Sequence, residues 1–340
     1  MNHPRIDRAV WGALLAASVA LAAPRAHASC GAESCALDNF ANRGRRLSFE
    51  LAFQSLDQDQ PRIGTRSAQV GELPGHHDEV ETRSRLVTAR AQIALTPRWS
   101  INATVPYMNR VHRHILNEEA LPPELLTWRY QGIGDAALTV NAVALGTSDP
   151  SSPLTVILQG GAKLPTGSRH VDAVNGHEPE PHARLGTGSW DLLVGGHVMH
   201  FVSAPSLSGS TSSLPLFASA MLMRPGRGTD NYRVGSMFDA TLGTAYPLVD
   251  RLQLLAQGNL RVRERDDAGV APDDPAAHEA LETQENTGGT SVYASPGLRF
   301  VAGPALDLSA YLQVPLYQRV NGIQLVAPYH FWLGATYKLH

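Results

Sequence analysis

Two cysteines and several histidines are the residues whose types and spacing could support chemistry. The cysteines lie in the segment Cys30-Gly31-Ala32-Glu33-Ser34-Cys35, with four residues between them. This spacing differs from the CxxC of a thioredoxin-like site. In an oxidising compartment we expect Cys30 and Cys35 to form a small disulfide loop. A metal or redox role is the alternative, although two thiolates make only part of a tetrahedral site.

The 14 histidines include three groups that fall in polar stretches. The groups are His76-His77, the pair His112 and His114, and the set His170, His177 and His182. One interpretation is capture of a divalent metal by imidazole and carboxylate groups. The other is that they are ordinary polar residues of loops. The second is favoured because no HExxH motif occurs and no two ligands share a helix-like spacing. We therefore predict no metal site and no cofactor.

Sequence motifs of catalysis and of nucleic-acid binding are missing. The chain has no GxSxG motif, no Walker loop and no GxGxxG before a helix, so we predict that it is not an enzyme. A formal net charge of -3 gives no reason to invoke nucleic acid. The hydrophobic fraction of 43% fits a soluble periplasmic protein as well as a membrane barrel, so periodicity has to decide between them.

The N-terminal sequence predicts export from the cytoplasm. Arg5 and Arg8 are positively charged, the run from Val10 to Ala23 is apolar, and Ala26-His27-Ala28 offers small residues before a cleavage point. We therefore expect residues 1–28 to be a cleaved signal peptide. A membrane anchor is the alternative, but a spanning helix needs about 20 apolar residues and this run is shorter.

Alternation with a period of two dominates the rest of the chain. From Tyr329 onwards, every second residue is apolar, ending with Tyr337 and Leu339. Because successive side chains of a strand point to opposite faces, this period indicates a β-strand with one apolar face. No second run of about 18 apolar residues occurs, so no transmembrane helix is predicted in the mature chain.

About twelve segments are strand-like in this way, although 214–223 alternates poorly. Each has about ten residues, which is the length of a tilted strand that crosses the hydrocarbon layer. The predicted strands are 47–54, 87–95, 99–108, 135–144, 154–163, 190–198, 214–223, 238–248, 252–263, 292–300, 306–316 and the segment from about Ile323 to the C-terminus. Strands of a soluble sandwich are usually shorter, about five or six residues.

Link lengths give an independent test of this interpretation. Short links at 96–98, 147–152, 249–251 and 302–305 alternate with long polar links at 59–78, 113–127, 166–189 and 265–288. Outer-membrane barrels have short periplasmic turns and long outer loops. The sequence therefore predicts an all-β fold: a transmembrane antiparallel up-and-down β-barrel of about 12 strands over residues 45–340, after a periplasmic segment at 29–44.

The C-terminal strand also predicts how the chain is inserted. The stretch from Trp332 to Leu339 resembles the C-terminal assembly signal of outer-membrane barrels, and His340 follows where such chains usually end on Phe. The expected location is therefore the outer membrane of a Gram-negative cell. The expected partners are outer-membrane lipid, a small-molecule permeant and the barrel assembly machinery.

Three glycine-containing segments carry a family resemblance. They are residues 161–167 (Gly-Ala-Lys-Leu-Pro-Thr-Gly), 132–135 (Gly-Ile-Gly-Asp) and 188–191 (Gly-Ser-Trp-Asp). With the predicted signal peptide, they resemble outer-membrane proteins grouped with the phenol-degradation MetA pathway. That group is loosely related to outer-membrane channels for hydrophobic and aromatic compounds. The resemblance implies a barrel and a transporter-like function.

The strand faces opposite the apolar ones hold nearly all of the charge within strands. The charged residues predicted to line the lumen are Glu50, Arg90, Arg110, Asp135, Lys163, Asp191, Asp239, Arg261, Arg263, Arg299, Asp307 and Lys338. One interpretation is a charge-lined pore that biases permeation. The other is an ion-pair network that fills and stiffens a narrow barrel. About eight strands leave room only for side chains and about 16 to 18 leave a channel, so about twelve fit either interpretation.

The fold and the resemblance together lead to a functional expectation. We predict passive passage of small, hydrophobic or aromatic molecules through the barrel. The alternative is a non-transporting barrel with a plugged lumen and a structural or metal-binding surface role. Within the strands, we expect Leu254, Leu312 and Phe331 to face lipid, whereas Gln257, Gln313 and Trp332 should face the lumen.

Overall fold

The computed structural model describes most of the predicted barrel. The described residues are 46–73, 78–116, 123–147, 152–179, 183–205, 211–271 and 278–339. The predicted signal peptide, the predicted periplasmic segment 29–44 and both cysteines lie outside them. No helix in the described part of the chain is long and apolar enough to cross a membrane.

Long alternating segments form strands, as their period predicts. The strands are β1 (Leu47–Gln58), β2 (Gln60–Ile63), β3 (Arg66–Ser67), β4 (Asp78–Ala94), β5 (Trp99–Leu116), β6 (Glu124–Ile133), β7 (Ala137–Leu145), β8 (Leu154–Lys163), β9 (Asp191–Pro205), β10 (Thr211–Pro225), β11 (Met237–Val249), β12 (Leu252–Arg263), β13 (Gly289–Val301), β14 (Leu306–Val320), β15 (Ile323–Val326) and β16 (His330–Leu339). A helix, α1, spans His278–Glu285, and Thr229–Asn231 forms a 3₁₀ turn.

Twelve of the described strands close into an antiparallel barrel, which confirms the predicted fold class. The ring runs β1, β4, β5, β7 to β14 and β16, with each strand paired to the next. It closes because β1 also pairs with β16, with Leu47 opposite Leu339. A closed ring leaves no strand of the barrel with an unpaired edge along its length.

The barrel is apolar outside and polar inside, the reverse of a soluble protein. Leu242, Leu254 and Leu316 are exposed on the outer face, as the alternation predicts for Leu254. By contrast, polar side chains such as Glu50 and Asp191 are buried on the inner face. A large exposed apolar surface indicates contact with a partner or a membrane.

One predicted link is wrong in its bounds. The link predicted at 113–127 is much shorter, because β5 continues to Leu116 and β6 begins at Glu124 directly opposite it. Alternation simply continues through Val111, Arg113 and Ile115, so this part of β5 pairs with β6 in a long hairpin.

The C-terminal strand is also divided. The sequence predicted one strand from about Ile323, but β15 leaves the barrel wall and pairs with β2, and the barrel strand begins only at His330. Pro328 lies between the two and has no N–H for a ladder hydrogen bond. The outer links at 59–78 and 265–288 are likewise not plain loops, because they contain β2, β3 and α1.

Candidate functional site

The three glycine-containing segments meet at one charged cluster. Lys163 Nζ lies 2.6 Å from Asp135 Oδ2 and 3.1 Å from Asp191 Oδ2. Asp135 also accepts hydrogen bonds from the backbone N–H groups of Gly167 and Thr187, each at 2.9 Å. The cluster therefore fastens both ends of the long connection between β8 and β9 to the start of β7.

The other charged residues predicted for the lumen also have partners. Arg90 pairs with Glu50 at 2.7 Å, and Arg261 pairs with Asp239 at 2.7 Å. Both residues of each pair lie on neighbouring strands, directly opposite one another in the register. Charges of opposite sign in such cross-strand positions stabilise the sheet and neutralise one another.

Two further carboxylates pair with other predicted lumen charges. Asp307 accepts hydrogen bonds from Arg299 and from Lys338, the latter at 2.5 Å. Arg263 pairs with Asp266 at 2.6 Å, just beyond the end of β12. The interior therefore carries charges of both signs in close pairs, the arrangement that the ion-pair interpretation requires.

Arg110 makes a different kind of contact. Its Nε donates to Ser84 Oγ at 2.9 Å, and its Nη1 donates to the backbone oxygen of Ala183. The hydroxyl of Tyr130 donates to the same oxygen at 2.5 Å. Leu185, two residues further on, is buried against Leu86 and Met108. The segment Ala183–Thr187 therefore lies inside the mouth of the barrel.

The larger interior cavity, of about 280 Å³, lies beneath this segment. Val326 and Ala327, which follow β15, cover another side of it and are themselves buried. Arg263 and the Lys163 cluster contribute charged groups to its wall. The cavity therefore lies toward the end of the barrel where the long connections are.

A smaller cavity, of about 130 Å³, lies deeper in the barrel. Arg261 and Tyr293 line both cavities and so mark the boundary between them. Gln257 and Gln313 line the smaller cavity, in agreement with their predicted lumen face. Leu312 and Phe331, predicted to face lipid, are half-buried.

An apolar cluster fills the interior near the short turns. Phe217 and Leu255 are almost completely buried in it, and Trp332 packs against it from the inner face. The other buried members are Ile157, Met199, Ala245 and Tyr311. The cluster therefore forms an apolar constriction next to the smaller cavity, since Tyr311 and Trp332 contribute to both.

The histidines predicted for outer loops have different environments. His112 and His114 lie on β5 and are buried, with the His112 ring stacked on Trp128 at 5.6 Å. Thr82 Oγ1 lies 2.8 Å from His112 Nδ1. His170 is exposed, and the backbone oxygen of His177 accepts a hydrogen bond from Trp128 Nε1 at 3.0 Å.

The remaining predictions of metal or disulfide chemistry fall outside the described residues. These positions are Cys30, Cys35, His76, His77 and His182. Within the described ranges, no group of three or more histidine, cysteine, aspartate or glutamate residues is arranged to hold a metal ion.

A band of neutral polar residues was missed by the sequence analysis. Gln159 Nε2 donates to Thr139 Oγ1 at 3.0 Å, and Asn259 Nδ2 donates to Ser295 Oγ at 2.6 Å. His330 belongs to the same inner face. All five alternate with apolar outward residues, so the period of two places them on the inner face, but a neutral side chain carries no charge that marks it as a candidate.

Comparison with known proteins supports the fold. No family model matches the chain, and no curated protein matches it significantly. The solved structures that resemble it include an outer membrane channel from Pseudomonas putida F1, at 14% identity and a TM-score of 0.56, over 86% of this chain and 95% of that one.

Two further structures resemble the chain more distantly. A FadL homologue from Pseudomonas aeruginosa is 13% identical over 87% of this chain and 91% of that chain, with a TM-score of 0.41. The translocator domain of the autotransporter NalP from Neisseria meningitidis is 12% identical over 89% and 92%, with a TM-score of 0.42. The chain has the closed twelve-stranded fold of an outer-membrane β-barrel.

Proposed function

We propose that this chain is an outer-membrane channel for the passive passage of small, uncharged molecules that are hydrophobic or aromatic. The observation that carries this proposal is the interior: two cavities in series, bounded by an apolar cluster around Phe217 and Leu255. An ion would lose its hydration at this constriction without gaining a free partner charge. A molecule with an apolar ring would lose little hydration free energy there.

The outer surface supports the location in the membrane. Leucines such as Leu242 and Leu316 are exposed on the outer face, where water would disfavour them and acyl chains would not. Export through a cleaved signal peptide at residues 1–28 and insertion by the barrel assembly machinery belong to the same proposal. So does the lumen-lining role of the twelve charged residues, which we assign to stiffening the wall by ion pairs.

A second candidate is a barrel that does not transport. The segment Ala183–Thr187 and the residues Val326 and Ala327 are folded into the mouth, and they favour a plugged lumen. Such a barrel would serve as a structural or metal-binding surface protein. The two candidates differ in one measurable property, which is the passage of neutral solutes.

Swelling of liposomes that contain the purified full-length chain tests the proposal. We expect swelling with uncharged aromatic solutes and little with ions of similar size. Phe217→Ala should accelerate swelling, because it removes the largest of the almost completely buried side chains of the apolar cluster. Leu242→Ala is the matched control on the outer face and should not change the rate. No swelling with any solute, together with no current in planar bilayers, would establish the non-transporting alternative.

A further inference from the structure

The smaller cavity contains two polar atoms that have no hydrogen-bond partner among the described residues. They are Nε2 of His330 and Oε1 of Gln313, and both atoms are buried. His330 as a whole is only 9% exposed. The two residues lie directly opposite one another on β16 and β14, so both side chains reach the same part of the cavity wall.

Several other polar groups of the cavity are hydrogen-bonded to one another. Thr241 Oγ1 donates to Asn259 Oδ1 at 3.0 Å, and Asn259 in turn donates to Ser295. Buried polar atoms are nearly always paired in folded proteins, and an unpaired one is costly. His330 and Gln313 therefore present an adjacent pair of buried polar atoms with unmet hydrogen-bonding capacity on one side of the cavity.

Aromatic rings lie next to these two residues. The centroid of the Tyr293 ring is 5.2 Å from that of His330, and Tyr311 and Trp332 are in edge contact at 5.3 Å. All of these rings line the cavity. Aromatic side chains attract a further ring in stacked or edge-to-face geometry. The cavity therefore combines a hydrogen-bonding pair with a surface suited to a planar ring.

Charge in the cavity is balanced. The charged side chains that line it, Asp239 and Arg261, are paired with one another at 2.7 Å. An ionised ligand would thus be desolvated without a free counter-charge, whereas a neutral ligand would not pay this penalty. The size is also restrictive: at about 130 Å³ the cavity is close to the volume of about 150 Å³ that holds a single benzene ring, and it meets the larger cavity at Arg261 and Tyr293.

We propose that the smaller cavity is a binding subsite for an uncharged molecule with one aromatic ring and one amide or hydroxyl group. His330 Nε2 and Gln313 Oε1 form the hydrogen bonds to the polar group, and Tyr293 contacts the ring. A primary amide suits the pair best, because it donates and accepts at once and both side chains can adopt the complementary role. The subsite deepens the proposed function and rests on it only for the route by which the ligand arrives.

Calorimetric titration of the detergent-solubilised full-length protein tests the subsite with three probes. Benzamide carries a neutral amide on an aromatic ring. Benzoate has the same ring with a charge, and cyclohexanecarboxamide has the same amide without the π-system. We expect benzamide to bind and each of the other two to bind at least about tenfold more weakly. Benzoate affinity equal to that of benzamide would overturn the proposal.

Two variants test the residues. His330→Phe and Gln313→Leu should each weaken benzamide binding by about tenfold, the effect of one hydrogen bond. The same changes outside the cavity, His200→Phe and Gln131→Leu, are the controls and should leave affinity unchanged. Because His330→Phe removes an unpaired buried atom, its folded fraction should equal or exceed that of the parent. Unchanged affinity in both cavity variants would overturn the assignment.

The outcome separates the subsite from the channel. Swelling of liposomes without benzamide binding would disprove the subsite and leave the proposed function in place. Benzamide binding that both variants weaken, without passage of any solute, would establish the subsite in a barrel that does not transport.

Discussion

Lys163 Nζ lies 2.6 Å from Asp135 Oδ2, although 28 residues separate the two in the chain. Asp191 is the second carboxylate of the lysine, at 3.1 Å. All three side chains are largely buried. One cation thus joins β7, β8 and β9 at the base of the connection that contributes Ala183–Thr187 to the mouth.

Removing that cation should loosen the connection. Lys163→Met leaves Asp135 and Asp191 facing each other without the positive charge between them, and breaking a buried pair costs about 3 to 5 kcal/mol. We expect a lower folded fraction in urea and faster proteolysis between residues 164 and 190. Lys163→Arg keeps the charge and should behave much more like the parent. Equal stability of Lys163→Met and the parent would show that the cluster contributes nothing.

Exposure to lipid predicts unequal effects on folding when two neighbouring residues of β11 are changed to arginine. Leu242 is 67% exposed on the outer face, and Thr241 lines the smaller cavity. A charge on the lipid face near mid-membrane costs about 2 to 4 kcal/mol. Leu242→Arg should therefore impair folding far more than Thr241→Arg, as read from heat-modifiability on a gel. Equal tolerance, or greater damage from Thr241→Arg, would place the strand inside out or outside a membrane.

Close approach of β7 makes one glycine of β8 necessary. A Cβ at Gly161 would lie 2.1 Å from the backbone oxygen of Leu138 and 2.6 Å from Thr139 Cα. Gly161→Ala must therefore displace backbone, and we expect a loss of about 1 to 3 kcal/mol in unfolding free energy. Gly258→Ala in β12 is the control, because a Cβ there meets nothing within 4 Å. A similar loss for both would point to β-propensity instead of the contact.

Acid should loosen the turn that follows β12. Burial alone would raise the pKa of Asp267, but the Gly269 backbone N–H and the Arg227 side chain, with the Arg233 charge, hold it below its usual range. A lowered pKa means that this stabilisation is complete above the unfolded value of about 3.9 and is lost as the pH falls through the folded value. The protection of the Gly269 amide against hydrogen exchange, relative to its intrinsic exchange rate at each pH, should fall in that window. Asp267→Asn should abolish the pH dependence, and an unaltered profile in that variant would contradict the assignment.

The strands of the barrel could be predicted from the sequence because each has one continuous apolar face. The predicted bounds of β12, 252–263, agree with the structure, since Leu252 and Arg263 stand at its ends. The bounds of β16 could not be predicted in this way, because β15 alternates equally well and is diverted only by its pairing with β2. A period of two indicates a strand, but it does not indicate which other strand it pairs with.

The same limit applies to the interior. Alternation assigned Lys163 and Asp135 to the inner face, but their contact depends on the register of β7 with β8, which a single strand does not encode. The pair of His330 and Gln313 was similarly out of reach. Neutral side chains carry no charge to mark them, and their significance appears only when the hydrogen bonds of the folded interior are known.

The seam between β1 and β16 has a consequence for the order of folding. Leu47 is paired with Leu339, so closure joins strands from opposite ends of the described chain. Until β16 is in place, β1 and β14 each present an open row of N–H and C=O groups, which is a template for pairing with other molecules. Copies that stop before β16 are therefore aggregation-prone sheets and not smaller barrels.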